Sequence, residues 1–153
     1  MRILIALMLL TAVVLLPLSL FAVLGDTAAS VLNDQARMKG SLRSTDHQAY
    51  VLHEITAPSG TVVREYVSPA GAVFAVTWEG QFPPDLEQLL GPYYQQAKQA
   101  LQQQQESEHR RRAPLSVVTP GLVLTQSGHV RAFHGQAYIP QLMPQAVTAS
   151  DIR

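Results

Sequence analysis

The chain of 153 residues contains no cysteine, which excludes disulfides, thiol catalysis and a lipid-modified cysteine anchor. Lysine occurs only at Lys39 and Lys98, and neither follows a phosphate-cradling glycine loop or stands in a Ser-x-x-Lys arrangement. Gly-x-Ser-x-Gly is absent as well. The one asparagine, Asn33, precedes Asp34 and Gln35, so there is no N-glycosylation acceptor. Between Glu108 and Asp151 there is no carboxylate, so any acid/base pair must draw on Glu54, Glu65, Glu79, Asp85 or Glu87. Charged residues make up 14% of the chain and cancel, 11 basic against 11 acidic. Such a balance creates no general attraction to nucleic acid or to an anionic membrane surface. A domain of this kind must fold on packing alone.

What the chain does have is an apolar start. Arg2 and the amino terminus precede a run from Ile3 to Leu24 broken only by Thr11, Pro17 and Ser19, and small residues follow at Gly25, Ala28, Ala29 and Ser30. A positive start, an apolar middle and a small-residue exit are the physical parts of a secretory signal peptide. The run is also long enough to cross a bilayer as a helix, but no Lys/Arg flank follows it, since Asp26 comes next. Residues 1–25 are therefore read as a leader cut after Gly25, with a cut after Ala22 or a retained membrane anchor as alternatives. About 130 residues then remain, enough for one domain with a modest core. The location implied is periplasmic or extracellular.

Residues 26–48 read as a flexible arm, with a possible short helix from Ala28 to Lys39 stopped by Gly40 and a linker from Ser41 to Gln48. From residue 49 to 153 the pattern is that of a single unit. Tyr50–Thr56, Thr61–Val67 and Ala72–Trp78 read as strands joined by Ala57-Pro-Ser-Gly60 and Ser68-Pro-Ala-Gly71. In each turn proline presets φ and glycine supplies the positive φ that closes a hairpin. Ala72–Trp78 is apolar on both parities, the mark of a strand covered on both faces. Pro83-Pro-Asp85 then opens a helix carrying Leu86, Leu89, Leu90, Tyr93, Ala97 and Leu101, bent at Gly91-Pro92 and ended by Pro114. Leu115–Val118, Leu122–Gln126 and Val130–Ile139 read as further strands with a Ser127-Gly128 turn, ahead of a surface-running end. The expected fold is α+β, an antiparallel sheet of about five strands with one main helix across it.

Candidate chemistry is sparse. Of the histidines His47, His53, His109, His129 and His134, the last two stand an odd five residues apart on one expected strand, hence on opposite faces. His47 and His53 share a face only if a strand reaches into the linker. Glu65 shares parity with Val63 and Val67, where a carboxylate pairs at the rim with a cross-strand arginine or, if buried, titrates high enough for acid/base work. Asp85 and Glu87 suit the first turn of a helix. Arg110, Arg111 and Arg112 fit a helix C-terminus, or a grip on phosphate or acidic polysaccharide.

The segments Gly60–Trp78, Pro84–Gly91 and Val130–Pro140 together resemble DUF2844, a bacterial family of exported proteins of unknown function. The resemblance spans roughly Gly25 to Arg153, with the hairpin segment as its most specific part. It implies export and a single unit over 49–140, and it carries no catalytic residues with it. No catalytic, cofactor-binding or metal-ligating residue is assigned, and no cofactor. The functional expectation is an exported, non-catalytic binding or assembly protein whose partner is an envelope protein or a glycan, with no nucleic acid and with a membrane only if the amino-terminal helix is retained. The alternatives are an envelope hydrolase using Glu65 with a histidine, and a membrane-anchored partner-binding protein.

Overall fold

Two proline–glycine turns organise the first half of the molecule, and a computed structural model, which describes residues 24–107 and 115–153, closes both of them. Gly60 has φ +83° and donates its N–H to the Ala57 carbonyl at 2.9 Å; Gly71 has φ +82° and donates to Ser68 at 2.8 Å. The strands are β1 (Ser41–His47), β2 (Tyr50–Thr56), β3 (Val62–Val67), β4 (Val73–Gly80), β5 (Leu115–Thr119), β6 (Leu122–His129) and β7 (Ala132–Tyr138). The helices are α1 (Ser30–Met38), α2 (Leu86–Leu90) and α3 (Pro92–Ser107), followed near the end by 3-10 turns at Pro140–Leu142 and Ala149–Asp151. All seven strands form one antiparallel sheet in the order β1-β2-β3-β4-β7-β6-β5.

The α+β class and the meander are as the sequence predicts; the strand count is not. Among the described residues seven strands replace about five, α1 stands where a short helix was expected in the arm, and the one main helix is divided into α2 and α3. Part of the difference lies in the expected arm, where Ser41–His47 pairs along its whole length with Tyr50–Thr56. Its polar composition is that of an edge strand, exposed at nearly every residue, and this hides the period-2 signal of a half-buried one. The helix is bent as expected: Asp85 caps α2 by accepting from the Gln88 N–H at 3.1 Å, and Gly91, at φ +46°, separates α2 from α3. The last turn falls elsewhere. β6 runs through Ser127 and Gly128 to His129, and the reversal is at Val130-Arg131, with Arg131 at φ 65°. Gly128 instead allows close cross-strand contact, since a Cβ there would sit 2.5 Å from the Ala132 carbonyl.

β4 stands at the centre and is buried from Val73 to Trp78. On one face the helices cover Val63, Val76, Trp78, Leu124 and Ala137, with Leu89, Leu90 and Ala97 packed down on them. α1 adds Val31 over Ile55, Val67 and Val73. On the other face the carboxy-terminal segment returns across the sheet and packs Val147 and Ile152 on Tyr66, Phe74 and Ala75. The expected surface-running end is thus a cover for the second face. It is fastened by Tyr66, whose hydroxyl donates to the Arg153 carbonyl at 2.6 Å and accepts from the Arg153 N–H at 2.9 Å.

Trp78 fits because its register partner on β7 is Gly135. A Cβ at Gly135 would lie 2.3 Å from the indole. Gly135→Ala is expected to destabilise by about 1–3 kcal/mol through overpacking. At Gly71 nothing lies within 4 Å of an added Cβ, so Gly71→Val tests backbone conformation alone and is expected to cost about 1 kcal/mol or more. Denaturant midpoints of both variants check these values.

Candidate functional site

Alternation along β3 turns Val63, Glu65 and Val67 toward the helix-bearing face, so the Glu65 carboxyl enters the interior at 2% exposure. α1 presents Asp34 to it from the same stripe as Val31, and Asp34 is 1% exposed. The Gln88 side-chain amide, on α2, donates to the Asp34 carboxylate. Directly opposite Glu65 in register on β2 is His53, whose Nδ1 lies 2.7 Å from Ser44 Oγ on β1. Burial lowers the pKa of His53.

Removing a carboxylate from water favours its neutral form. Burial, reinforced by the adjacent Asp34, pushes the Glu65 carboxyl up to about 9. Burial also raises Asp34, opposed by hydrogen bonds from Glu65 and Gln88 and by the charge of Arg37. As a carboxylate, Glu65 has no donor for either oxygen. Protonated, it becomes a donor to Asp34, which supplies the missing partner. The pair therefore holds a proton at neutral pH, with Glu65 as the acid. The rim ion pair expected for Glu65 is instead made by its neighbour Arg64 on the opposite face, to Glu54 at 2.8 Å and Glu79 at 2.7 Å.

That opposite face carries a second group of polar residues. Arg64, Thr77, Gln136 and Thr125 occupy one register row, and Glu79, His134 and Ser127 the next. Together with Arg153 they line an open cleft of about 430 Å³. His134 Nε2 lies 2.5 Å from Ser127 Oγ. The Thr77 hydroxyl, on a residue only 4% exposed, has no hydrogen-bond partner among the described residues. A smaller apolar cleft of about 250 Å³ lies between α2, α3 and β6, lined by Leu86, Leu90, Tyr94, Ala97, Leu101 and Leu124 among others.

The histidines separate. His47 stacks on Tyr50 with ring centroids 4.8 Å apart, on the face opposite His53. His129 and His134 lie on two different strands, β6 and β7, because the reversal falls between them. Among the described residues no group of three or more His, Asp or Glu is placed to hold a metal ion. His109 and the Arg110, Arg111 and Arg112 run lie outside the described residues. Asp34 was missed: the acids expected from sequence were Glu54, Glu65, Glu79, Asp85 and Glu87, and the partner of Glu65 comes instead from the short helix of the expected arm. Gln88 carried no signal, and of the cleft residues only Glu79 and His134 were singled out, one as a candidate acid and the other as a histidine.

The acid pair makes stability depend on pH. A folded-state pKa near 9 against an ordinary 4.5 means that the folded chain binds more protons than the unfolded one across that interval. Stability is then greatest below the lower value and falls by up to about 1.4 kcal/mol per pH unit for one proton until the upper value is reached. Glu65→Gln keeps a donor for Asp34 and cannot ionise. The variant is expected to be more stable than the wild type at pH 8, with the advantage gone near pH 4. Denaturant midpoints between these limits measure it.

Comparison with known proteins adds one relationship. No curated protein and no solved structure matches the chain. The family model described as "Protein of unknown function (DUF2844)" matches residues 20–152, nearly the whole length, and the chain belongs to that family.

Proposed function

We propose that this is an exported, non-catalytic binding protein, and that the polar cleft on the second sheet face takes a neutral, hydroxyl-rich ligand, a glycan of the cell envelope. Export rests on the residue pattern of 1–25. The single observation that carries binding is the Thr77 hydroxyl, unpartnered at the floor of a cleft whose lining combines hydroxyls, amides and an imidazole with Arg64, Glu79 and Arg153. A buried polar group without a partner costs free energy that a ligand hydroxyl can offset. Of the cleft's charges, Arg64 is tied to Glu54 and Glu79, and Arg153 donates to the Ser150 carbonyl at its edge. An ionic ligand has to compete with those pairs; a neutral one does not.

A second reading, a hydrolase of the cell exterior, is favoured by one feature. Glu79, His134 and Ser127 follow one another across three adjacent strands, with the Ser127–His134 hydrogen bond formed. Activation of a serine needs the acid to orient the histidine, and here the Glu79 carboxylate is engaged by Arg64. Glu65, the acid of the hydrolase expected from sequence, lines neither cleft described above.

Calorimetric titration with soluble, uncharged envelope oligosaccharides is expected to give saturable binding, weakened about 5- to 10-fold by Thr77→Val. Binding that ignores Thr77→Val, or binding only of a protein partner from the envelope, overturns the glycan reading. Covalent capture of Ser127 by an organophosphonate, lost in His134→Gln, replaces it with the hydrolase.

A further inference from the structure

The first described residues are part of the fold. Leu24 is 2% exposed and packs in the same core as Val76, Trp78, Leu89 and Ile139. Its N–H donates to the Leu89 carbonyl at 3.1 Å. The Gly25 N–H donates to the Val73 carbonyl at 2.8 Å, and the Val73 N–H returns to the Asp26 carbonyl at 2.8 Å. A bridge between Thr27 and Ala72 continues this pairing. Residues 24–27 thus extend along the start of β4, the central strand.

A cut after Gly25 removes Leu24 and leaves a hole where its side chain packs, together with the Leu89 and Val73 carbonyls it and Gly25 satisfied. Losing a buried leucine removes a large part of a small domain's stability. A leader cut there would discard part of the core it delivers. The nearest bond upstream that follows a small residue is Ala22–Val23, which meets one of the two small-residue positions of a leader peptidase site and has Leu20 at the other. We infer that the leader is removed at Ala22–Val23, so that Leu24 and Gly25 stay with the exported domain. This rests on the proposed export and corrects the cut after Gly25 expected from the sequence.

The full 153-residue chain, produced in a bacterium that exports it, decides the point by intact mass of the periplasmic or culture fraction. The expected mass begins at Val23. A mass beginning at Asp26 overturns this inference and leaves export standing; a full-length mass in the membrane fraction overturns cleavage altogether and makes the leader a retained anchor. A stability comparison supplies an independent readout. Chains made to begin at Val23 and at Asp26 are expected to differ in melting midpoint by about 5 °C or more, or the shorter one to fail to fold. Equal midpoints overturn the role given to Leu24.

Discussion

Everything in this molecule is arranged around one strand that can face water on neither side. β4 carries Val73, Phe74, Ala75, Val76 and Trp78, all at most 2% exposed. Each large apolar side chain removed from water stabilises the fold by about 1.5–3 kcal/mol, and that contribution exists only if both faces are covered. The helices cover one face and the carboxy-terminal segment the other. β4 is also the sole join between the two halves of the sheet, since β3 lies on one side of it and β7 on the other. β7 reaches it only after the chain has passed through α2, α3, β5 and β6. The costliest loop closure of the fold therefore meets its largest apolar reward.

The Asp34–Glu65 pair shows what the helix-bearing face gives up for its shape. Two carboxyls sit where the neighbouring rows hold valine and isoleucine, at 1% and 2% exposure. A buried acidic pair of this kind is held by a shared proton and by donors such as Gln88, and its net contribution to stability is small or negative. What it supplies is position. Asp34 on α1, Glu65 on β3 and Gln88 on α2 tie three elements at one point, and an apolar contact there would leave their relative placement free to slide. His53, opposite Glu65 and held by Ser44, extends this polar row to the sheet edge.

How much of this could be read beforehand depended on whether a residue's surroundings are local. The Pro-x-Gly turns, the helix start at Asp85 and the break at Gly91-Pro92 are set by backbone chemistry within four residues and stand in the structure, with Asp85 capping the helix rather than lying in its first turn. β1 escaped because an exposed edge strand has no buried face to leave an alternation. The reversal after His129 escaped because Gly128 serves a cross-strand approach, which the sequence cannot distinguish from a turn glycine. For the candidate site, parity placed Glu65 correctly on a buried face, but its partner depended on where α1 docks. The polar rows around Thr77 were not read, because Ala72–Trp78 is apolar on both parities and was expected to be covered on both faces, and only the path of the last residues leaves the row of Thr77 open.

That path divides the second face in two. The row Leu52, Tyr66, Ala75 and Tyr138 lies under the returning chain, and the adjacent row Arg64, Thr77, Gln136 and Thr125 does not. Two residues along each strand separate a core position from a cleft position, so a register slip by that amount would exchange them. Tyr66 fixes the boundary, because its hydroxyl is saturated by the Arg153 backbone, and Arg153 in turn forms part of the cleft lining. The same contact that completes the cover thereby shapes one side of the proposed ligand site. Cover and cleft are consequently not separable features: a chain that loses the Tyr66 contact loses a wall of the site as well as a lid of the core.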